Sequence, residues 1–408
     1  MEIPQAQKFD VDELAPRASK IMERLKSGPW PSHVVELEKT QYPIQAYAAG
    51  LAAGKTAWAA GSAKIRYVYT GFIARRTRDG KYAELHFRVW QPSGQVYTTE
   101  YLTKILDFAD KYGLGLIEIA GQQGMMIISI DPSKADEAVD ALRAIGTDVG
   151  ATGDTIRELA TCIGPALCEF ALYDTLEARD KFLTHPKIYE WMSNQLFPFK
   201  FKAKFSGCPF DCTRAVHRSD FGFIGIWEGA PEVDQELLRR KIEAGEVDPE
   251  KLAADCPSGA ITWDREKKEL KIDGTRCKKS MHCIRTAFPA IKPGKERRVA
   301  VVVGGGVKGR FGPKLGWFIG YLKPDEVQKA IDLTFKVIEP WDKEAPPKYR
   351  LGDYIMQTGL EGFIQKAGVK LEGMPQLVKM GDDVPYAVLS KEEREVYLNL
   401  VKELKGGV

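Results

Sequence analysis

Two cysteine pairs constrain this chain more than any other feature: Cys162 with Cys168 in the run CIGPALC, and Cys208 with Cys212 in the run CPFDC. A lone cysteine is usually a small buried apolar residue. Two pairs spaced C-x5-C and C-x3-C instead suggest that the fold must converge four thiols on one centre. All seven cysteines lie between positions 162 and 283, and an odd, localised set argues for ligation rather than for a disulfide framework spread over the fold. Structural zinc sites favour about two to four intervening residues, so the wider first loop points to an iron–sulfur cube, which is larger and tolerates it.

The second pair follows directly on FPFKFKAKFSG, where Lys200, Lys202 and Lys204 alternate with Phe199, Phe201 and Phe205. Period two predicts a strand with all three ammoniums on one face. Lysines two apart on a strand sit about 7 Å from one another, where they repel by roughly 0.6 kcal/mol in water and roughly 2.4 kcal/mol at an effective dielectric of about 20. A solvated face tolerates this, and so does a face turned to an anion. Arg88 and Arg157 belong to segments flanking the same cysteine elements and favour the anion.

Cys256, followed by proline, and Cys277 and Cys283 in CKKSMHC form a further group. Bacterial ferredoxins use C-x2-C-x2-C with a distant Cys-Pro; here Ser280 stands at the middle position, so the module is either a cluster site lacking one thiolate or a ferredoxin-like fold without metal. A glycine-rich loop then follows the apolar run RRVAVVV. Gly304, Gly306 and Gly309 satisfy G-x-G-x-x-G, but the later glycines and Pro313 do not open the helix that would hold a pyrophosphate. A loop of backbone N–H groups beside Lys308, Arg310 and Lys314 still suits an anion.

At 408 residues, with 44% hydrophobic and 28% charged residues and a net charge of +3, the chain reads as a folded globular protein with no global field for nucleic acid or membrane. The start of the chain has no apolar signal core and no run long enough to span a bilayer, which makes a cytoplasmic location the expectation. TTEYLTKILDFADKYG predicts a helix capped by Thr98 or Thr99 and stopped by Gly113. ELHFRVW, LGLIEIA, MMIISI and DFGFIGIW read as strands, and PSKADEAVDALRAIG as a second helix. The fold class expected is α+β: two related α/β sandwich units forming one cofactor site, with an inserted ferredoxin-like module. Boundaries fall at 1–62 for an N-terminal helical segment, 63–150 for the first unit, and 151–235 with 294–345 for the second. The insertion takes 236–293 and a C-terminal helical tail 346–408.

The motifs SGPWPSHVVELEK, RVWQPSGQVYTTEYL, CIGPALCEFALYDT, FPFKFKAKFSGCPFDC and RSDFGFIGIW, with the ferredoxin-like insertion, resemble the alpha subunit of dissimilatory sulfite reductase, within the siroheme and [4Fe-4S] sulfite and nitrite reductases. The resemblance runs from about residue 24 to about residue 370. It implies that Cys162, Cys168, Cys208 and Cys212 bind a [4Fe-4S] cluster, with Cys212 bridging to the siroheme iron. Arg88, Arg157, Lys200 and Lys202 would surround sulfite, while Arg75, Lys204, Gly304, Gly305, Gly306, Lys308, Arg310 and Lys314 would hold the carboxylates of siroheme. It implies a second iron–sulfur cluster at Cys256, Cys277 and Cys283, altered by Ser280. It further implies an α2β2 assembly with a beta subunit, a small sulfur-carrier protein and an electron donor protein. The function implied is six-electron reduction of sulfite toward sulfide. The alternatives are a structural siroheme-holding subunit with turnover in the beta subunit, and a siroheme nitrite reductase; flux in the oxidative direction is also open.

Overall fold

The computed structural model describes residues 82–374 except 120–123, 158, 194–196 and 308, together with strands at 62–65, 69–76, 377–378 and 387–388 and isolated positions between 16 and 27. Apart from those positions, the expected N-terminal helical segment lies outside the described residues, as do most of the GQQG turn and Lys308. The chain divides into two compact units, Met1–Pro92 with Val96–Glu158 and Pro186–Leu196, and Ser93–Gln95 with Leu159–His185 and Phe197–Val408.

In the first unit β1 (Ser62–Ile65), β2 (Tyr69–Arg76), β3 (Tyr82–Val89), β4 (Ile117–Ile119) and β5 (Met125–Ile130) form an antiparallel sheet in the order β1-β2-β3-β5-β4. The helices α1 (Thr99–Tyr112) and α2 (Ala135–Ala144) lie where periodicity predicts. The Thr98 hydroxyl accepts from the Tyr101 amide at 3.1 Å, and Gly113 ends α1. Leu85, Phe87 and Val89 pack with Ile127 and Ile130 against Ile105 and Phe108 of α1 and Val139 and Leu142 of α2. Each such side chain contributes about 1.5–3 kcal/mol on burial, against about 0.3–0.5 kcal/mol for an exposed helical pair such as Glu100–Lys104. The core, not the surface charges, therefore holds the helices to the sheet. Period two turns His86 and Arg88 to the other face, where both are also buried.

The second unit is a mixed sheet. β6 (Ala160–Thr161), β7 (Ala203–Ser206) and β8 (Phe221–Trp227) run parallel, and β13 (Arg297–Val303) and β14 (Trp317–Leu322) continue it antiparallel in the order β14-β13-β8-β7-β6. The rings of Phe205 and Phe223 stack at 5.1 Å, with Phe182 of α3 (Thr175–Thr184) set edge-on to both. Between β8 and β13 lies the cysteine-bearing module, which contains the antiparallel pair β9 (Glu232–Val233) and β12 (Ile291–Lys292) and the hairpin β10 (Ile261–Asp264) and β11 (Glu269–Ile272). Its core includes Leu238, Leu252, Leu270, Ile284 and Ile291 and continues into Trp227 and Cys208. Helices at Val327–Glu344, Leu351–Thr358 and Leu360–Ala367 follow, then a short strand pair, Leu377–Val378 with Ala387–Val388.

One expected strand is shorter than its pattern. Of the three alternating lysines only Lys204 lies in β7. The Lys202 amide donates to the Asp220 carboxylate at 2.9 Å, and its carbonyl accepts from the Asp220 and Phe221 amides, so the ladder stops there.

Candidate functional site

Parallel pairing of β6 with β7 brings the two cysteine pairs together. Thr161 stands opposite Phe205, so the loops starting at Cys162 and Gly207 leave the same end of the sheet. The Cys162 amide donates to the Phe205 carbonyl at 3.0 Å, and the Gly207 amide donates to the Cys162 Sγ at 3.2 Å. A Cβ at Gly225 would lie 2.1 Å from the Gly207 carbonyl oxygen, so only glycine lets this loop lie against β8. Asp211, at φ 45°, accepts from the Ser206 hydroxyl and from the amides of Ala215 and Val216, which fixes the turn after Cys208.

None of the seven cysteines is in a disulfide. Burial, with Cys168, Cys212 and Cys162 nearby, pushes the Cys208 thiol up to about 12 against the opposing Phe210 amide; Cys212, the more exposed thiol, is raised by partial desolvation and then by Cys162 and Cys168. The four sulfurs thus share one electrostatic neighbourhood, in which ionisation of all four needs compensating cations. Among the described residues no three His, Cys, Asp or Glu close on a single-ion site. Four thiols on loops that leave one end of the sheet are the donor set of a four-thiolate iron–sulfur cluster.

Lys204 and Ser206 share the face of β7 covered by residues 211–218. The Lys204 ammonium is buried and donates to the Thr213 carbonyl at 2.5 Å. Burial lowers it to about 8, Asp211 opposing and Arg218 and Arg214 adding to the fall. Arg214 and Arg218, both exposed, are cations beside Lys204 that the sequence reading did not single out; their place directly after Cys212 was the available signal. Lys200 and Lys202 are half-buried, and the Lys200 ammonium lies 4.9 Å from the Phe199 ring centroid. In the first unit the Arg88 guanidinium donates to the Ala151 carbonyl at 2.9 Å, and Arg157 to the Gly153 carbonyl at 2.9 Å. Arg75 lies on β2 opposite Glu84.

The glycine loop is closed by reciprocal amide–carbonyl bonds between Gly306 and Lys314 at 2.9 and 2.7 Å. Gly304, at φ 82°, bonds to the Asp220 carbonyl, and a Cβ at Gly305 would lie 2.3 Å from the Val216 carbonyl oxygen. A fully buried carboxylate, Asp353, sits under the loop. It accepts from the amides of Arg310 (3.0 Å), Phe311 (3.3 Å) and Arg350 (3.1 Å) and from the Lys314 ammonium at 2.8 Å. Part of the anion-binding capacity read from the loop is thus used by the chain itself. Arg350 also makes a two-point pair with buried Asp220, which ties the loop to the Lys202 segment.

In the module, Cys256, Cys277, Cys283 and Ser280 line one small, partly open pocket with Ser258, His282 and Trp227. Burial, then Cys277, pushes the Cys283 thiol up to about 11; burial acts the same way on Cys256, but the Ser258 hydroxyl and the amides of Ser258, Ala260 and Ile261 outweigh it and lower this thiol. Three thiols fit three corners of a cube. Phe210, Phe170 and Phe288 form an aromatic chain from the Cys208 loop to this module, with centroids 5.9 and 5.3 Å apart. Ile163, Leu167, Phe210, Val307, Phe311 and Leu315 are exposed on the cysteine and glycine loops, Leu167 by 70%. Apolar exposure concentrated there suits a large flat ligand with an apolar face.

Comparison with known proteins agrees with this geometry. Residues 152–373 match the nitrite and sulphite reductase 4Fe-4S domain, and residues 76–145 match the nitrite/sulfite reductase ferredoxin-like half domain. The alpha subunit of dissimilatory-type sulfite reductase from Allochromatium vinosum is 28% identical over 86% of this chain and 90% of its own length. The corresponding subunit from Nitratidesulfovibrio vulgaris is 28% identical over 93% and 96%. The crystal structure of dissimilatory sulfite reductase I superposes with a TM-score of 0.73 at 27% identity, covering 92% of this chain and 95% of that one. No helix among the described residues is long and apolar enough to cross a membrane.

Proposed function

The chain belongs to the nitrite and sulphite reductase family as a dissimilatory sulfite reductase alpha-like member, and on that premise we propose that it is the sulfite-reducing alpha subunit of such an enzyme. The observation that carries the reading is the convergence of both cysteine pairs at one end of the parallel strands β6 and β7. Cys162, Cys168, Cys208 and Cys212 would hold a [4Fe-4S] cluster, and Cys212, the exposed member of the four, would link it to siroheme. Arg75, Lys204, Lys308, Arg310, Lys314 and the amides of Gly304, Gly305 and Gly306 hold the siroheme carboxylates. When bound, siroheme and the cluster would supply the electrons for sulfite reduction one at a time.

Converting hydrogensulfite to hydrosulfide takes six electrons and six protons and releases three waters, so each S–O cleavage needs a proton and compensation of oxygen charge. Lys200 and Lys202 supply both, as ammoniums on flexible stems. Arg88 and Arg157 stay cationic at any working pH and supply the field. The partners of this reading are a beta subunit in an α2β2 assembly, an electron donor protein and a small carrier that takes the reduced sulfur. The test is to add sulfite to the anaerobically purified, reduced complex and follow the absorption of this chain's own tetrapyrrole. A sulfite-dependent shift is expected; a tetrapyrrole indifferent to sulfite would make this chain a cofactor-holding subunit with turnover elsewhere.

A further inference from the structure

The thiols of Cys256, Cys277 and Cys283 do not supply the four ligands of a cube, and Ser280 stands where the fourth would be expected. We propose that this module holds an iron–sulfur centre on three thiolates only, with the Ser280 corner open to solution, so that iron there is exchangeable and takes a small thiol or anion as its outer ligand. The inference rests on reading the chain as an iron–sulfur redox subunit.

Four observations carry it. Cys283 is buried and Cys256 and Cys277 are half-buried, whereas Ser280 is exposed, so the corner without a thiol is the one facing solvent. The backbone on either side of Ser280 is held at positive φ, 56° at Lys279 and 65° at Met281. L side chains rarely adopt this conformation, and two such residues around one serine that lines the cysteine cavity indicate a loop shaped to present that position to a ligand. The hydroxyl is a poor substitute for sulfur, being a hard donor that must lose a proton of high pKa. His282, which also lines the pocket, has its Nε2 3.8 Å from the Asp255 carboxylate. Lys278 and Lys279 also line the cavity, so a ligand entering at this corner meets positive charge. That selects thiolates and small anions over neutral molecules.

The experiment uses the anaerobically purified holoprotein incubated under reducing conditions with ⁵⁷Fe(II), then read by Mössbauer spectroscopy, with electron paramagnetic resonance before and after addition of dithiothreitol. The wild type should take up close to one ⁵⁷Fe per chain at a single site, and dithiothreitol should change that site's spectrum. Ser280→Cys should lower the uptake by an order of magnitude and abolish the thiol response. Equal uptake in wild type and Ser280→Cys would overturn the proposal, as would a wild-type module with no more iron than Cys277→Ala. His282→Ala serves as a further arm: if it abolishes the module's signal, the imidazole is the fourth ligand and the corner is not open. Tetrapyrrole absorption and the first cluster's signal in the same samples report the proposed function separately, so the two ideas can fail independently.

Discussion

Asp353→Asn isolates what holds the glycine loop. The carboxylate is fully buried, pairs with the nearly buried Lys314 at 2.8 Å and accepts from three backbone amides between 3.0 and 3.3 Å. Asparagine keeps the shape, but it loses the charge and turns an NH₂ toward groups that are all donors. Removing one partner of a buried pair costs about 3–5 kcal/mol. At about 2–4 °C per kcal/mol for a unit of this size, the melting temperature should fall by about 6–20 °C. The loss should depend on pH. Burial would raise the Asp353 carboxyl, but Lys314 and the amides of Arg310 and Arg350 overcome it and hold the group below its ordinary 3.8. Its stabilisation is therefore present above that value and disappears as pH falls through the lower folded value. The two proteins should be farthest apart near neutral pH and converge in acid. Adding Lys314→Met to Asp353→Asn removes the stranded ammonium and should recover part of the loss. Calorimetry on the apoprotein is the assay. A single variant melting within about 1 °C of wild type at pH 7, or a double variant no more stable than the single, would refute the assignment of this pair as the loop's anchor.

Two further substitutions probe the same region. Gly305→Ala places a methyl 2.3 Å from the Val216 carbonyl oxygen; displacing backbone to relieve this should cost about 1–3 kcal/mol and lower tetrapyrrole content, and an unchanged melting temperature with full cofactor contradicts it. Lys200→Ala removes a half-buried ammonium whose ring contact is worth about 0.5–1 kcal/mol. It should leave stability within that range while weakening sulfite binding at this chain's tetrapyrrole, and unaltered sulfite affinity counts against Lys200 as an anion ligand.

What could be read before the fold was known follows from where the signals sit in the chain. The helix over Thr99–Tyr112 is legible because its cap, apolar stripe and terminal glycine are local. The cysteine spacing also foretells a shared centre, but only the parallel register of β6 and β7 explains why loops 39 residues apart leave the same sheet end. The lysine alternation overstates the strand, because Asp220, 18 residues beyond Lys202, captures its amide and ends the ladder. Asp353 was invisible to pattern reasoning, since nothing near it in sequence marks a helix-borne aspartate as partner to a loop about 40 residues upstream. The Asp220–Arg350 pair spans 130 residues and is legible only in three dimensions. Backbone-spaced motifs thus survive translation into structure, while long-range charge pairs do not announce themselves.

The central claim is that Cys212 couples a four-iron cluster to the tetrapyrrole of this chain. Mössbauer spectroscopy on ⁵⁷Fe-enriched, anaerobically purified wild type and Cys212→Ser tests it directly. Magnetic coupling between cluster and tetrapyrrole irons is expected in the wild type, and two independent centres, or loss of one, in the variant. Wild-type spectra of a cluster with no coupled tetrapyrrole iron, or a variant that retains the coupling, would contradict it.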